Sequence, residues 1–214
     1  MNDYQSIIES AMVAEVDKFK AEVDELHAFL YEYNQNVNLT RITEYEDYIL
    51  KHVCDSLLLG VAFPELAKRK ISLCDIGCGA GFPSLILALA YPDWHITAVD
   101  SIGKKTTFVK LAAEKLALSN IEVVTGRTNE LNRKAEWKKR FDIVTARAVA
   151  TAVTVYKDAR NFPKNNGCFI LYKTPEQLKE DLPEIKSAAS DKKWKTTEIF
   201  ELPSNAGSRQ FLYY

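Results

Sequence analysis

Apolar side chains recur at Ile8, Met12, Val16, Phe19, Val23, Leu26, Leu30 and Tyr33, always three or four positions apart. That is the period of one helical face, so the spacing predicts one or two amphipathic helices carrying a single apolar stripe. A lone stripe has to be covered, so this segment must pack on something. The amide-rich run from Asn34 to Asn38, followed by Leu39 and Thr40, interrupts the pattern. Thr43 and Glu46 have capping-box spacing and predict a further helix over about residues 44–59. Pro64 and the basic triplet Lys68, Arg69, Lys70 close this helical arm, residues 1–70.

From residue 71 the period changes. Short apolar runs mark strand candidates at 71–76, 95–100, 121–125, 141–146, 168–173, 195–201 and 209–214. Helical stretches lie at about 83–91, 103–117, 128–138, 151–160 and 175–189. Alternation of this kind implies a parallel sheet covered on both faces. Only Pro203 to Gly207 separates the last two strand candidates, so they form a hairpin and one of them runs antiparallel.

The first strand ends in Gly77-Cys78-Gly79-Ala80-Gly81-Phe82-Pro83, and the second ends in Asp100. A strand turning abruptly into a helix needs positive φ, which glycine supplies without strain. A carboxylate at the end of the second strand, about twenty residues on, is placed to accept hydrogen bonds from ribose hydroxyls. The dinucleotide pattern is G-x-G-x-x-G, but here Phe82 stands where its third glycine belongs. Asp75, ahead of the turn, adds an acidic rim where a pyrophosphate would be unwelcome. That rim suits a cationic ligand, and S-adenosylmethionine (SAM) carries a sulfonium, an amino group and an adenosine with no phosphate. The fold class expected from seven strands, this turn and the closing hairpin is an α/β, class I SAM-dependent methyltransferase (Rossmann-like) sheet. The domain is residues 71–214, preceded by the helical arm.

Composition narrows the setting. The chain has 214 residues, 47% hydrophobic and 27% charged, ordinary for a globular protein. No apolar run reaches the length of a membrane span and no signal-peptide pattern opens the chain, so a cytoplasmic location is expected. Cys54, Cys74, Cys78 and Cys168 fit that compartment as unpaired thiols, and no second ligand pair accompanies Cys74 and Cys78 to make a metal site. Cys78, inside the turn, is a candidate for the pocket wall. The net charge of −1 hides an asymmetry, −8 over residues 1–48 and +7 over the remainder. The stretch Arg133–Arg140 alone carries +4. A basic domain with an acidic arm permits a nucleic-acid substrate without demanding one.

These motifs, in order, resemble the RsmG (GidB) family of bacterial small-subunit rRNA methyltransferases. Asn38-Leu39-Thr40 resembles its N-x-N-L-T segment, and Lys51-His52-Val53-Cys54-Asp55-Ser56 its R-H-x-x-D-S segment. The turn from Asp75 to Pro83, the run from Val99 to Lys105, and Ala146-Arg147-Ala148 supply three further matches. The resemblance implies SAM as cofactor, 16S rRNA or the small ribosomal subunit as partner, and methylation of guanine N7. It carries SAM contacts onto Gly77, Phe82, Thr128, Asn129 and Arg147. Two departures are Ser84, where glycine is common, and Lys173-Thr174-Pro175, where K-G is usual.

The residues read independently give a compatible picture. Gly77, Gly79 and Asp100 follow from the turn itself. Arg147, at the end of the fourth strand, can hold a methionyl carboxylate with a bidentate pair, or can be a structural ion pair. Phe82 can shape a pocket or fill the core. Thr128 and Asn129 can hold adenine or cap a helix. His52 and Asp55, three apart on a helix, share a face and are read as braces for the turn. His27 and His95 look incidental. Lys104 and Lys105 open a helix, where a phosphate partner would offset their unfavourable place in the dipole. Neither an exocyclic-amine motif nor a nucleophilic cysteine setting is present, and a ring nitrogen such as guanine N7 has no proton to lose. No catalytic base is assigned. A methyltransferase for a small metabolite is the alternative. A dehydrogenase and a non-catalytic RNA-binding protein are the more distant rivals.

Overall fold

The computed structural model describes residues 3–214. The apolar stripe folds as two helices, α1 (Tyr4–Ser10) and α2 (Val16–Val37). Asp3 caps α1, its carboxylate accepting from the Ser6 N–H at 2.7 Å. Phe19, Val23, Leu26 and Leu30 form the buried face of α2. Asn34 supplies the break that follows. Its Oδ1 accepts from the N–H groups of Leu39 (2.6 Å) and Thr40 (3.0 Å), and its Nδ2 donates to the Thr40 carbonyl.

Next comes α3 (Tyr45–Tyr48), which runs through a π-helical stretch at Ile49–Cys54 into α4 (Asp55–Ala62). The capping box expected of Thr43 and Glu46 does not form. Glu44 is the N-cap residue, no side chain caps the helix, and the Thr43 carbonyl instead faces His27 Nε2 at 3.0 Å. His27 is therefore a structural contact at the edge of Tyr45 and Tyr48.

The sheet domain alternates as the apolar runs predict: β1 (Ser72–Ile76), α5 (Ser84–Ala90), β2 (His95–Asp100), α6 (Gly103–Lys115) and β3 (Ile121–Thr125). It continues with α7 (Thr128–Leu131), β4 (Phe141–Arg147), α8 (Ala152–Ala159), β5 (Pro163–Lys173) and α9 (Pro175–Ala188). Last come β6 (Lys195–Thr196), β7 (Phe200–Glu201) and β8 (Ser208–Tyr213). The order across the sheet is β3-β2-β1-β4-β5-β8-β6, with β7 also paired to β8. Strands β1 to β5 are parallel, and β8 is the antiparallel strand between β5 and β6. Seven positions therefore span the sheet, and the strand expected at 195–201 occupies its position in two pieces. The helix expected over 128–138 is also divided, into α7 and a 3-10 turn at Ala135–Trp137.

Alternate side chains of each central strand feed two cores, as the two-residue strand period requires. Leu73, Ile143, Ile170 and Tyr172 join Phe19, Leu26, Leu57, Leu85 and Phe108 on one face. Val144, Phe169 and Leu171 join Leu131, Val155, Phe162, Ile185 and Trp194 on the other. The N-terminal helices thus share a core with α5 and α6, while α7, α8 and α9 cover the opposite face.

Candidate functional site

The carboxyl ends of β1 to β4 open into a cleft of about 410 Å³, within the ~300–1,000 Å³ typical of ligand pockets. Gly77, Asp100, Thr128 and Asn129 line it, with Lys105, Arg127, Val149 and Asp158. The turn after β1 is tied down by its own backbone. The N–H groups of Gly77 and Cys78 both donate to the Val99 carbonyl, at 2.7 and 3.0 Å. Gly77 has φ +67°, and a Cβ placed there would lie 2.5 Å from Val149 Cγ2. The position disfavours every other residue on two counts, conformation and space.

Asp100 sits at the cleft wall, 8% exposed. Its two oxygens already accept from Gly79 N–H at 3.0 Å and Ile102 N–H at 2.9 Å. Each oxygen keeps a lone pair for a further donor. Gly79 does not line the cleft. Its part is to fix Asp100.

Asp75 is not a rim residue. It is fully buried beneath the turn, where the Ser84 hydroxyl at the start of α5 donates to Oδ2 and Oδ1 has no partner. Burial pushes its carboxyl up to about 7. The reason for the misplacement is local: β1 alternates, so Asp75 points into the sheet's covered face, and Ser84 rather than solvent receives it. Cys78 is likewise buried and absent from the cleft lining.

Phe82 and Arg147 stand beside the cleft instead of lining it. Phe82, joined to Pro83 by a cis peptide bond, is 5% exposed and stacks on His52, with ring centroids 4.1 Å apart and planes 4° from parallel. Arg147 donates through Nη1 to Asp55 Oδ2 at 2.7 Å and to the Lys51 carbonyl at 3.0 Å. Its Nη2 lies 3.3 Å from His52 Nδ1. An arginine can only donate, so Nδ1 accepts and the imidazole proton sits on Nε2, which has no partner. Burial, and then the Arg147 charge, push the His52 pKa down to about 3. His52 and Asp55 do share a face, one stacked on the turn and the other paired with Arg147.

Four contributors escape a reading of local pattern. Arg209 on β8 grips the same carboxylate, Nε to Asp55 Oδ1 at 2.7 Å and Nη2 to Oδ2 at 3.1 Å. Val149 closes over Gly77. Lys173 makes a buried pair with Asp181 at 2.7 Å and donates to the Ala150 carbonyl at 2.9 Å. Asp181 also accepts from the Ala152 N–H. That pair fixes the β4–α8 loop, the wall that carries Val149. Lys173 ends β5, and Thr174, where the family's glycine is usual, caps α9 through a capping box with Gln177. Lys104 reaches the Val37 carbonyl at the end of α2, and Lys105 faces the cleft. Among the described residues, no group of three or more His, Cys, Asp or Glu is placed to hold a metal ion. Cys54, Cys74, Cys78 and Cys168 are free thiols.

Solved structures place the fold in a class. A SAM-dependent methyltransferase from Aquifex aeolicus superposes with a TM-score of 0.52 at 15% identity, covering 70% of this chain and 87% of that one. Fibrillarin from Aeropyrum pernix, solved with natively bound S-adenosyl-L-methionine, gives 0.54 at 15% identity, covering 69% and 67%. The strand order and these likenesses define a class I methyltransferase fold. Residues 20–210 match the GidB family, rRNA small subunit methyltransferase G. The ribosomal RNA small subunit methyltransferase G of Lactobacillus helveticus is 40% identical over 172 residues, covering 80% of this chain and 71% of that relative. The chain belongs to this family. No helix among the described residues is long and apolar enough to cross a membrane.

Proposed function

We propose that this protein transfers the methyl group of SAM to N7 of a guanine in 16S rRNA, acting in the cytoplasm on the small ribosomal subunit or its RNA. The observation that carries the cofactor assignment is Asp100 at the end of β2, a carboxylate at the cleft wall whose two oxygens each keep a lone pair for a ligand donor. A carboxylate at the cleft wall favours a ligand that presents hydroxyl donors and no phosphate there. SAM supplies an electrophilic methyl group on a sulfonium.

We assign the ribose hydroxyls to Asp100, through the lone pairs left by Gly79 and Ile102. Thr128 and Asn129 take the adenine edge, Asn129 offering both donor and acceptor. Gly77 lets backbone approach the ligand. Arg147 and Arg209 share one carboxylate, so a positive charge is left over for a methionyl carboxylate, and Phe82 holds that corner through His52. Guanine N7 has a free lone pair, so the chain has to position two reactants rather than remove a proton. Family membership supports rRNA as acceptor over a small metabolite.

Two measurements test this. Calorimetric titration should show SAM binding and no NAD binding, and Asp100→Ala should weaken SAM by about tenfold or more, since charged hydrogen bonds contribute about 1.5–3 kcal/mol each. Small-subunit rRNA from cells lacking the gene should lose one 7-methylguanine. An unchanged modification map would refute the assignment.

A further inference from the structure

A groove of about 510 Å³ runs between α7 and α8 and is lined by Arg133, Lys138, Lys157 and Arg160 against a single acid, Asp158. It adjoins the proposed SAM cleft, since Asn129 and Asp158 line both. At its far end Arg160 also lines a second basic hollow with Lys164, Lys192 and Lys193. All four groove cations are exposed. Among the described residues none of them takes part in an ion pair. The floor between them is fixed. Asn132 Oδ1 accepts from the Asn161 N–H at 3.0 Å, and Asn161 Nδ2 donates to the Asn132 carbonyl at 3.2 Å.

Four unpaired cations around one rigid groove repel one another, and a polyanion removes that cost while gaining entropy from released counterions. The charge is also segregated by face. The acidic N-terminal helices share their core with α5 and α6, and the groove opens on the opposite side of the sheet. A nucleic acid approaching the cleft along the groove therefore meets the basic face and avoids the acidic arm.

We infer that this groove is the track for the phosphate backbone of the substrate RNA beside the target guanine. The inference rests on the proposed rRNA methyltransferase reading. Phosphate contacts of this kind set register and orientation and do not select the base. Selection of the guanine is left to the cleft.

The test is the variant Arg133→Ala/Lys157→Ala/Arg160→Ala. SAM affinity is measured by calorimetry, and binding to naked 16S rRNA by anisotropy across a salt series. Methyl transfer to small-subunit particles completes the set. Wild type should show a steep salt dependence, and the variant's slope in log K against log salt should be shallower by about 2–3. Its KM for RNA should rise by about tenfold to a hundredfold, with kcat at saturation and SAM affinity unchanged and thermal melting intact. Lys157→Arg should bind like wild type. If the triple variant keeps the wild-type slope and KM while wild type methylates RNA, the groove assignment is wrong and the function stands. Weakened binding to assembled particles but not to naked RNA would point to a protein contact and also overturn it. SAM binding without any RNA methylation by wild type would remove both readings.

Discussion

Asp55→Ala tests the cluster that joins the N-terminal arm to the sheet. Asp55 is 1% exposed on its side chain and receives three charge-assisted hydrogen bonds, one from Arg147 and two from Arg209. It lies on α4, Arg147 on β4 and Arg209 on β8, so one carboxylate ties three elements. Its removal leaves two guanidinium groups facing each other without a counter-ion. Removing one partner of a buried pair costs about 3–5 kcal/mol. The side chains of Arg147 and Arg209 are 12% and 23% exposed, so water can recover part of their solvation and the lower end applies.

About 3 kcal/mol should lower the Tm by about 6–12 °C, given about 2–4 °C per kcal/mol for a chain of this size. Thermal melting followed by circular dichroism reads this directly. Arg209→Ala and the double variant complete a cycle, and the coupling energy should be about 1.5–3 kcal/mol. A Tm within 2 °C of wild type for Asp55→Ala, or additive single effects, would show that the two arginines are held by something other than this carboxylate.

Asp75 and Gly77 yield two further outcomes. The Asp75 carboxyl is raised to about 7 in the fold, so the folded state keeps a proton that the unfolded chain has lost above its ordinary value of 3.8. Stability is therefore drained as pH climbs from about 4 to about 7, by roughly 4 kcal/mol. Asp75→Asn should abolish that loss and gain on wild type across the window, and parallel curves of stability against pH would rule out a buried ionisable group. His52 has the opposite sign. Its folded pKa of about 3 means its contribution fades as pH drops below about 6.5, so it does not mimic the Asp75 signal. Gly77→Ala meets both a positive φ and Val149 Cγ2. A Val149→Ala background should relieve the clash but leave about 1–2 kcal/mol of backbone strain by urea denaturation, and full rescue would mean the φ constraint is absent.

What was readable along the chain, and what was not, divides by the range of the interactions. Strands β1, β2 and β4 and the second half of β5 are largely apolar runs buried on both faces, and their alternation with helices depends on side chains a few positions apart. Gly77 and Asp100 were readable because a sharp turn and a strand-end carboxylate are local demands. The elements that came out differently are each interrupted by one polar side chain reaching a distant partner. Asn132 stops α7 by accepting from Asn161. Thr197 splits β6 from β7 because its hydroxyl accepts the Phe211 N–H, taking the place of a ladder bond. Asp75 reads as a rim acid from its neighbours in sequence, yet Ser84, nine positions on, turns it into an internal brace. Arg209 lies 154 positions from Asp55, and no local pattern marks it. The Gly77–Asp100 side of the cleft is built mostly from short-range demands and the bracing cluster from long-range ones. Variants at Gly77 or Asp100 should therefore act on the cleft first, and variants at Asp55 or Arg209 on the docking of the arm.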